Sequence, residues 1–311
     1  MVPQRGAVTV DQAQLAIKVD VCTYTALKDG VPSLLQVFDH FGIRGSFFVA
    51  CGPDHSGRAI RRVLRPGFFA KMLRTNAVST YGWRTLLYGT LLPGPQIARS
   101  FPDTLRALVG AGHEVAMHGY DHVYWHDRLA RLSPAAVGAE LERARAAFTA
   151  AVGSAPQAFG APGWQCTAAS LASEDAAGLT YHSDTRGHAP YLPEMNGQRF
   201  RTMEIPTTLP TIDETYGRIG TTPEALAEFY AQQLRPGLNV YTAHAEMEGL
   251  RQLPHFCAML ERLRGRAGFT RLIDVAHALQ KTPDQLPVVR VVAAPIVGRA
   301  GTVAWQESAR A

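Results

Sequence analysis

Met117-His118-Gly119-Tyr120-Asp121-His122 follows a short apolar run, Glu114-Val115-Ala116, that reads as a strand. Two histidines four residues apart, just past a strand end, are expected on one side of a first helical turn. That spacing serves to ligate a metal ion. The chain holds eleven histidines, so one such pair needs company before it carries an argument. Asp20 near the start, Ser183-Asp184-Thr185-Arg186 in the middle and His244 near the end supply it, each closing a strand-like run.

Working outward, residues 15–22 alternate and β-branch like a strand, which puts Asp20 and Cys22 on one face. Gly30-Val31-Pro32 opens a helix with Leu34, Leu35, Val37 and Phe38 on its apolar side. Strands are expected at 46–50, 113–117, 179–184 and 238–244, with a short edge strand before Pro206. Helices are expected at 103–110, from Pro134 behind the cap Ser133, from Pro223 behind the cap Thr222, at 254–264 and at 274–281. This alternation predicts a parallel α/β layout. Chemical residues at strand C-terminal ends predict a barrel-type active site. The expected organisation is a lead-in at 1–14, one domain at 15–281, and a tail at 282–311 whose β-prone stretch, 288–292, finds no place.

The 311 residues are 46% hydrophobic and 18% charged, enough for one large domain. Four scattered cysteines without a CxxC exclude a disulfide framework and suggest a reducing compartment. No signal-peptide core or bilayer-length apolar run is evident, so a soluble or peripheral protein is expected. The net charge of +5 is local: residues 55–102 hold eight basic residues and no acid, while the remainder is net negative. Apolar Ile60, Val63, Leu64, Phe68, Phe69, Met72, Leu73 and Trp83 interleave with those bases. That composition, at 55–101, suits a helical amphipathic insertion lying on an anionic membrane surface. A packed insertion with a charged outer face is the plainer alternative. Nucleic acid is not expected, because no RNA- or DNA-binding motif accompanies the patch.

Asp20 at the first strand end, His118 and His122 at the third, Ala161-Pro162-Gly163 in the middle and Thr242-Ala243-His244 late resemble the polysaccharide deacetylase (NodB-homology) family. The resemblance implies a distorted (β/α) barrel. It also implies hydrolysis of N-acyl groups on amino sugars with a divalent metal, zinc, cobalt or manganese. Longer strings are similar to one branch of the family: Asp29-Gly30-Val31-Pro32, Gly52-Pro53-Asp54, Lys71-Met72-Leu73-Arg74, Tyr81-Gly82-Trp83, Ser183-Asp184-Thr185-Arg186-Gly187 and Tyr241-Thr242-Ala243-His244-Ala245-Glu246. That branch removes formyl from undecaprenyl-phosphate-linked formamido-arabinose at the cytoplasmic face of the bacterial inner membrane. The product serves lipid A modification and resistance to polymyxin.

By this resemblance Asp20 is the catalytic base, His118 and His122 are metal ligands, and His244 is the acid that protonates the leaving amine. Cys22 stands where the family has the third ligand, an aspartate. Its thiolate binds the metal, or the two histidines hold the metal with water, or the protein is a non-catalytic, lipid-phosphate-binding relative. Gly160 stands where the wider family often carries an arginine that steadies the base. Arg186 either replaces that cation or forms a surface ion pair with Asp184. Arg58, Lys71, Arg74, Trp164, Asp184, Arg186 and Glu246 are the expected substrate contacts. Glu246 and Glu248 share a strand face if the strand continues, or form a solvated acidic turn. A deacetylase of another N-acyl amino sugar is the alternative enzyme, and the sequence does not indicate an oligomeric state.

Overall fold

Strand β1 (Gln14–Val21) is buried on both faces, as a near-continuous apolar run in a parallel sheet should be. A computed structural model describes residues 13–59 and 83–307. In it, Leu15, Ile17, Val19 and Val21 join the large core made with the surrounding helices. Ala16 belongs to a second, inner core with Phe48, Ala116, Ala158, Tyr181, Met203 and Val240. Period-two alternation therefore sends odd residues outward and even residues inward. Up the inward side, Ala16 is followed by Lys18, Asp20 and then Cys22 just past the strand end.

The chain next lays down β2 (Ser46–Val49), β3 (Glu114–Met117), β4 (Ala158–Phe159), β5 (Tyr181–His182), β6 (Leu192–Met195), β7 (Gln198–Arg199), β8 (Met203–Glu204), β9 (Leu238–His244), β10 (Gly268–Thr270), β11 (Val288–Pro295) and β12 (Thr302–Gln306). The order β9-β1-β2-β3-β4-β5-β8 is parallel throughout, and β10 pairs with the first residues of β1. Just past β8, the Thr208 and Leu209 N–H groups donate to Val240 O of β9 at 3.1 and 3.0 Å. Two single bonds in place of a ladder bring the last strand round to the first, and this is the distorted barrel that the family resemblance implied.

Helices wrap the outside as the caps foretold. Ser133 accepts the Ala136 N–H at the start of Pro134–Val152, and Thr222 accepts the Ala225 N–H at the start of Pro223–Gln233. A helix that was not expected, Ala168–Ala177, begins at a capping box of Thr167 and Ser170. Its alanine-rich sequence carries too weak an apolar pattern to announce it.

Helix Leu272–Leu279 plugs the end where β2 and β3 start. Ser46 Oγ accepts the Leu272 N–H at 2.9 Å, and Glu114 accepts the Ile273 N–H at 3.0 Å and the Tyr181 hydroxyl at 2.6 Å. With that end sealed, polar chemistry gathers at the strand C-terminal ends.

A second sheet, β12-β11-β6-β7, uses residues 288–306, which the sequence had left unplaced. β11 pairs with β6, and β12 holds the segment after β5: Arg186 N–H donates to Ala304 O at 2.9 Å and Gln306 N–H to Arg186 O at 2.8 Å. No helix among the described residues is long and apolar enough to cross a membrane. The middle of the basic insertion, including Arg61, Arg62, Arg65, Lys71 and Arg74, lies outside the described residues.

Candidate active site

Asp20 sits in register with Phe48 of β2 and His244 of β9, so pairing alone brings these residues to one level. The carboxylate is buried, with Lys18 Nζ 3.6 Å from Oδ1. Lys18 is fully buried, donates to Ser183 O at 2.8 Å and lies over the Phe48 ring at 4.8 Å. Burial raises the Asp20 pKa, but the positive field of Lys18, with His118 and His244, outweighs it and holds the carboxyl below its ordinary value.

Lys18 is thus the cation that the sequence reading had sought in Arg186. Arg186 turns elsewhere, donating to Glu214 Oε1 at 2.7 Å and to Leu209 O at 3.0 Å inside the protein. Gly160 has no room for a side chain. A Cβ there would lie 2.6 Å from Phe48 Cδ1 and 3.2 Å from Lys18 Nζ. The signal available in sequence was a lysine two residues before Asp20 on an otherwise apolar strand, which shares its inward face.

His118 follows β3 and is tied to the neighbouring strand β2 by its backbone N–H, which donates to Val49 O at 2.9 Å. Gly119 then turns the chain at φ 79°, close under Pro162, so the two histidines do not share a helical turn. His122 is instead the first residue of helix His122–Arg128, whose cap Asp121 accepts the Tyr124 N–H at 2.9 Å. The spacing still brings the rings together, with centroids 5.1 Å apart.

The His118 Nδ1–H donates to Gly160 O at 2.7 Å, which leaves the Nε2 lone pair facing Asp20 Oδ2 at 3.8 Å. Burial pushes the His118 pKa down to about 4, so the ring is neutral and competent as a ligand. One ligand atom each from Cys22, His118 and His122 lies within 4.8 Å of the others. A sulfur and two imidazoles fit a borderline divalent ion. The Cys22 thiol is also hydrogen-bonded to Glu246, and burial, with the charges of Glu246 and Asp20, pushes its pKa well up.

β9 ends at His244 and the chain turns, so Glu246 and Glu248 do not continue a strand face. Both are buried rather than solvated. Glu248 accepts the His244 N–H at 2.9 Å and the Tyr241 hydroxyl at 2.7 Å, while burial raises its pKa to about 8. Burial likewise raises Glu246 to about 7.

Trp164 is buried with φ 54°, and its Nε1–H donates to Thr207 Oγ1 at 3.1 Å. Its ring stands 6.1 Å from that of His244, with the guanidiniums of Arg299 and Arg186 at 4.5 and 5.1 Å. Asp184 is fully buried and accepts the Ala161 N–H at 2.8 Å. Asp184 and Arg186 therefore support the walls, and the structure does not present them as open substrate contacts. Arg58 is 42% exposed along its side chain, donates to Gly89 O at 2.9 Å and reaches to 4.0 Å from Asp121. Lys71 and Arg74 lie outside the described residues.

A family model for polysaccharide deacetylase matches residues 7–182. The chain is 33% identical over 299 residues, 95% of each sequence, to a Shewanella sediminis protein named probable 4-deoxy-4-formamido-L-arabinose-phosphoundecaprenol deformylase ArnD. It is 28% identical over 284 residues to a protein of the same name from Wigglesworthia glossinidia brevipalpis, covering 90% of this chain and 98% of that one. The crystal structure of a Mycobacterium smegmatis protein described as a polysaccharide deacetylase superposes with a TM-score of 0.61 at 18% identity, covering 94% of this chain and 97% of that one. Model match, near full-length relatives and barrel agree, and the chain belongs to the polysaccharide deacetylase family.

Proposed function

We propose that this chain is a deformylase that hydrolyses the N-formyl group of undecaprenyl-phosphate 4-deoxy-4-formamido-L-arabinose, releasing formate and a free amine for lipid A modification. One observation carries the chemistry: an anionic Asp20 lies beside the Cys22, His118 and His122 group, with His244 on the neighbouring strand. A divalent ion held by those three residues, with zinc or cobalt the best match to sulfur and nitrogen, would polarise the formyl oxygen as a Lewis acid.

The chain's own groups then handle the protons. Asp20, kept ionised by Lys18, takes a proton from the attacking water. His244, fixed through its N–H by Glu248, returns a proton to the leaving nitrogen as the carbon–nitrogen bond breaks. Arg58, exposed at the mouth, borders the phosphate, and buried Trp164 backs His244. The acid-free stretch 55–102 rests on anionic headgroups at the cytoplasmic face of the inner membrane, where a lipid-linked substrate is found.

The test is formate release from the synthetic lipid-linked formamido sugar, with the acetamido analogue in parallel, in zinc, cobalt and manganese. Formate without acetate supports the reading. Preferred acetate release makes the chain a deacetylase instead. Lipid binding without hydrolysis in every metal makes it a non-catalytic relative.

A further inference from the structure

Behind the site lies a second group of ligand-type side chains that the proposed chemistry does not use. Glu174 comes from helix Ala168–Ala177, His182 ends β5, and Asp184 follows two residues later. All three are fully buried, and one ligand atom of each lies within 4.8 Å of the others. Both Glu174 carboxylate oxygens, Asp184 Oδ2 and His182 Nε2 receive no hydrogen from the surrounding groups, and the Glu174 and Asp184 carboxyls lie against each other. Buried polar atoms of three neighbouring side chains are thus left out of reach of water, which is costly unless an ion or a proton satisfies them.

The opposite ends of the His182 and Asp184 side chains are tied down. His182 Nδ1–H donates to Glu204 Oε2. Glu204 is itself fixed by the Asp184 N–H, the Thr185 N–H and the Thr185 hydroxyl, at 3.0, 2.9 and 2.8 Å on Oε1. Asp184 Oδ1 accepts the Ala161 N–H at 2.8 Å. A metal-binding histidine ordinarily gives its other ring N–H to a carboxylate, and ligating carboxylates are themselves hydrogen-bonded. Charge points the same way. Glu174, Asp184 and Glu204 are three acids facing one imidazole and the more distant Lys18 ammonium, and a buried excess of acids calls for a cation or a proton.

We infer that Glu174, His182 and Asp184 form a second, structural site for a divalent cation, separate from the Cys22, His118 and His122 group. One imidazole and two carboxylates suit manganese or zinc better than calcium or magnesium. The ion would fix two loops that shape the active site. Asp184 holds Ala161, whose neighbour Gly160 accepts the His118 Nδ1–H, and Ser183 accepts the Lys18 ammonium. The competing occupant is a proton shared between the Glu174 and Asp184 carboxyls.

Elemental analysis of the full chain, dialysed against manganese or zinc and then desalted, separates the two. The wild type should retain about two ions, His118→Ala about one, and Glu174→Gln about one. In manganese-loaded His118→Ala, electron spin echo spectra should show coupling to one imidazole nitrogen, that of His182. Chelation should lower the melting temperature of this variant. A wild-type content of about one ion that vanishes entirely in His118→Ala overturns the site and assigns the shared proton. If Glu174→Gln fails to fold, the wild-type and His118→Ala contents still decide.

Discussion

Replacing Lys18 by methionine keeps the length of the side chain and removes its charge, leaving a buried Asp20 carboxylate without its nearest cation. The two groups are 3.6 Å apart and almost without solvent contact. At an effective dielectric of about 20, charges at that distance attract by about 4–5 kcal/mol. Water entering the gap recovers part of this, so a coupling of about 2–4 kcal/mol is expected. Removing one partner of a buried pair costs about 3–5 kcal/mol, because the other charge stays behind. A double-mutant cycle with Asp20→Asn isolates the pair. The Lys18 bond to Ser183 O is lost in both lysine variants and cancels. Urea unfolding should be run on metal-free protein, since a bound cation would replace the missing one. Lys18→Met should unfold at clearly lower urea than wild type, and Lys18→Met/Asp20→Asn should recover most of the loss. Additivity within about 0.5 kcal/mol would refute the pairing and leave Lys18 as a packing residue.

Cys22→Asp should keep hydrolysis and shift its metal preference from zinc towards manganese, since a carboxylate oxygen is a harder donor than a thiolate; inactivity with every metal would remove position 22 from the ligand set. His113 accepts the Gly45 N–H on Nδ1 at 3.1 Å, and burial lowers its pKa from 6.5 to about 4. Between those values the unfolded chain binds a proton that the folded chain refuses, so stability falls as pH drops from about 6.5 to about 4, by about 2–3 kcal/mol once the unscreened maximum of about 3.4 kcal/mol is discounted for solvent screening. Urea midpoints at pH 7 and pH 5 should differ less in His113→Gln than in wild type, and an equal difference would place the acid sensitivity elsewhere. Replacing Arg61, Arg62 and Arg65 with glutamine should weaken binding to anionic vesicles roughly a hundredfold at low salt, at about 1 kcal/mol for each charge. Sedimentation with vesicles that stays unchanged would make the basic segment a packed insertion.

The barrel was legible because its strands are apolar runs with polar ends, and Asp20, His118 and His244 each mark such an end. The metal-ligand spacing was legible too, though for a different local reason. Gly119 turns the chain before the helix begins, so the histidines meet across a loop rather than along a helix face. What stayed hidden was partnership at long range. Lys18 reads as a lone strand lysine until the carbonyl of Ser183, 165 residues away, is known to accept its hydrogen bond. Arg186 reads as a neighbour of Asp184, yet its partner is Glu214 and its backbone pairs with β12. Residues 288–306 have β-prone composition, but nothing local says that the strand they need is β6.

The two departures from the family pattern have local physical causes that make them one arrangement. At Gly160 a side chain would collide with Phe48 and Lys18, so the cation for Asp20 has to come from β1 instead of the loop after β4. Because Lys18 and Asp20 lie two residues apart on one strand face, their separation is set by the pleat and not by a mobile loop. At Cys22 the shorter, softer donor is accompanied by Glu246, whose buried carboxyl hydrogen-bonds the thiol. A carboxyl therefore still stands next to the ligand group, though it comes from the turn after β9 and not from β1. The proton that Cys22 must lose to bind a metal has an immediate acceptor there. On this argument Glu246→Gln should weaken zinc retention while leaving the fold intact, because the amide cannot take that proton. Zinc content and the near-ultraviolet circular dichroism of the purified variant test it, and full zinc content in a native spectrum would show that Cys22 binds, if it binds, without help from Glu246.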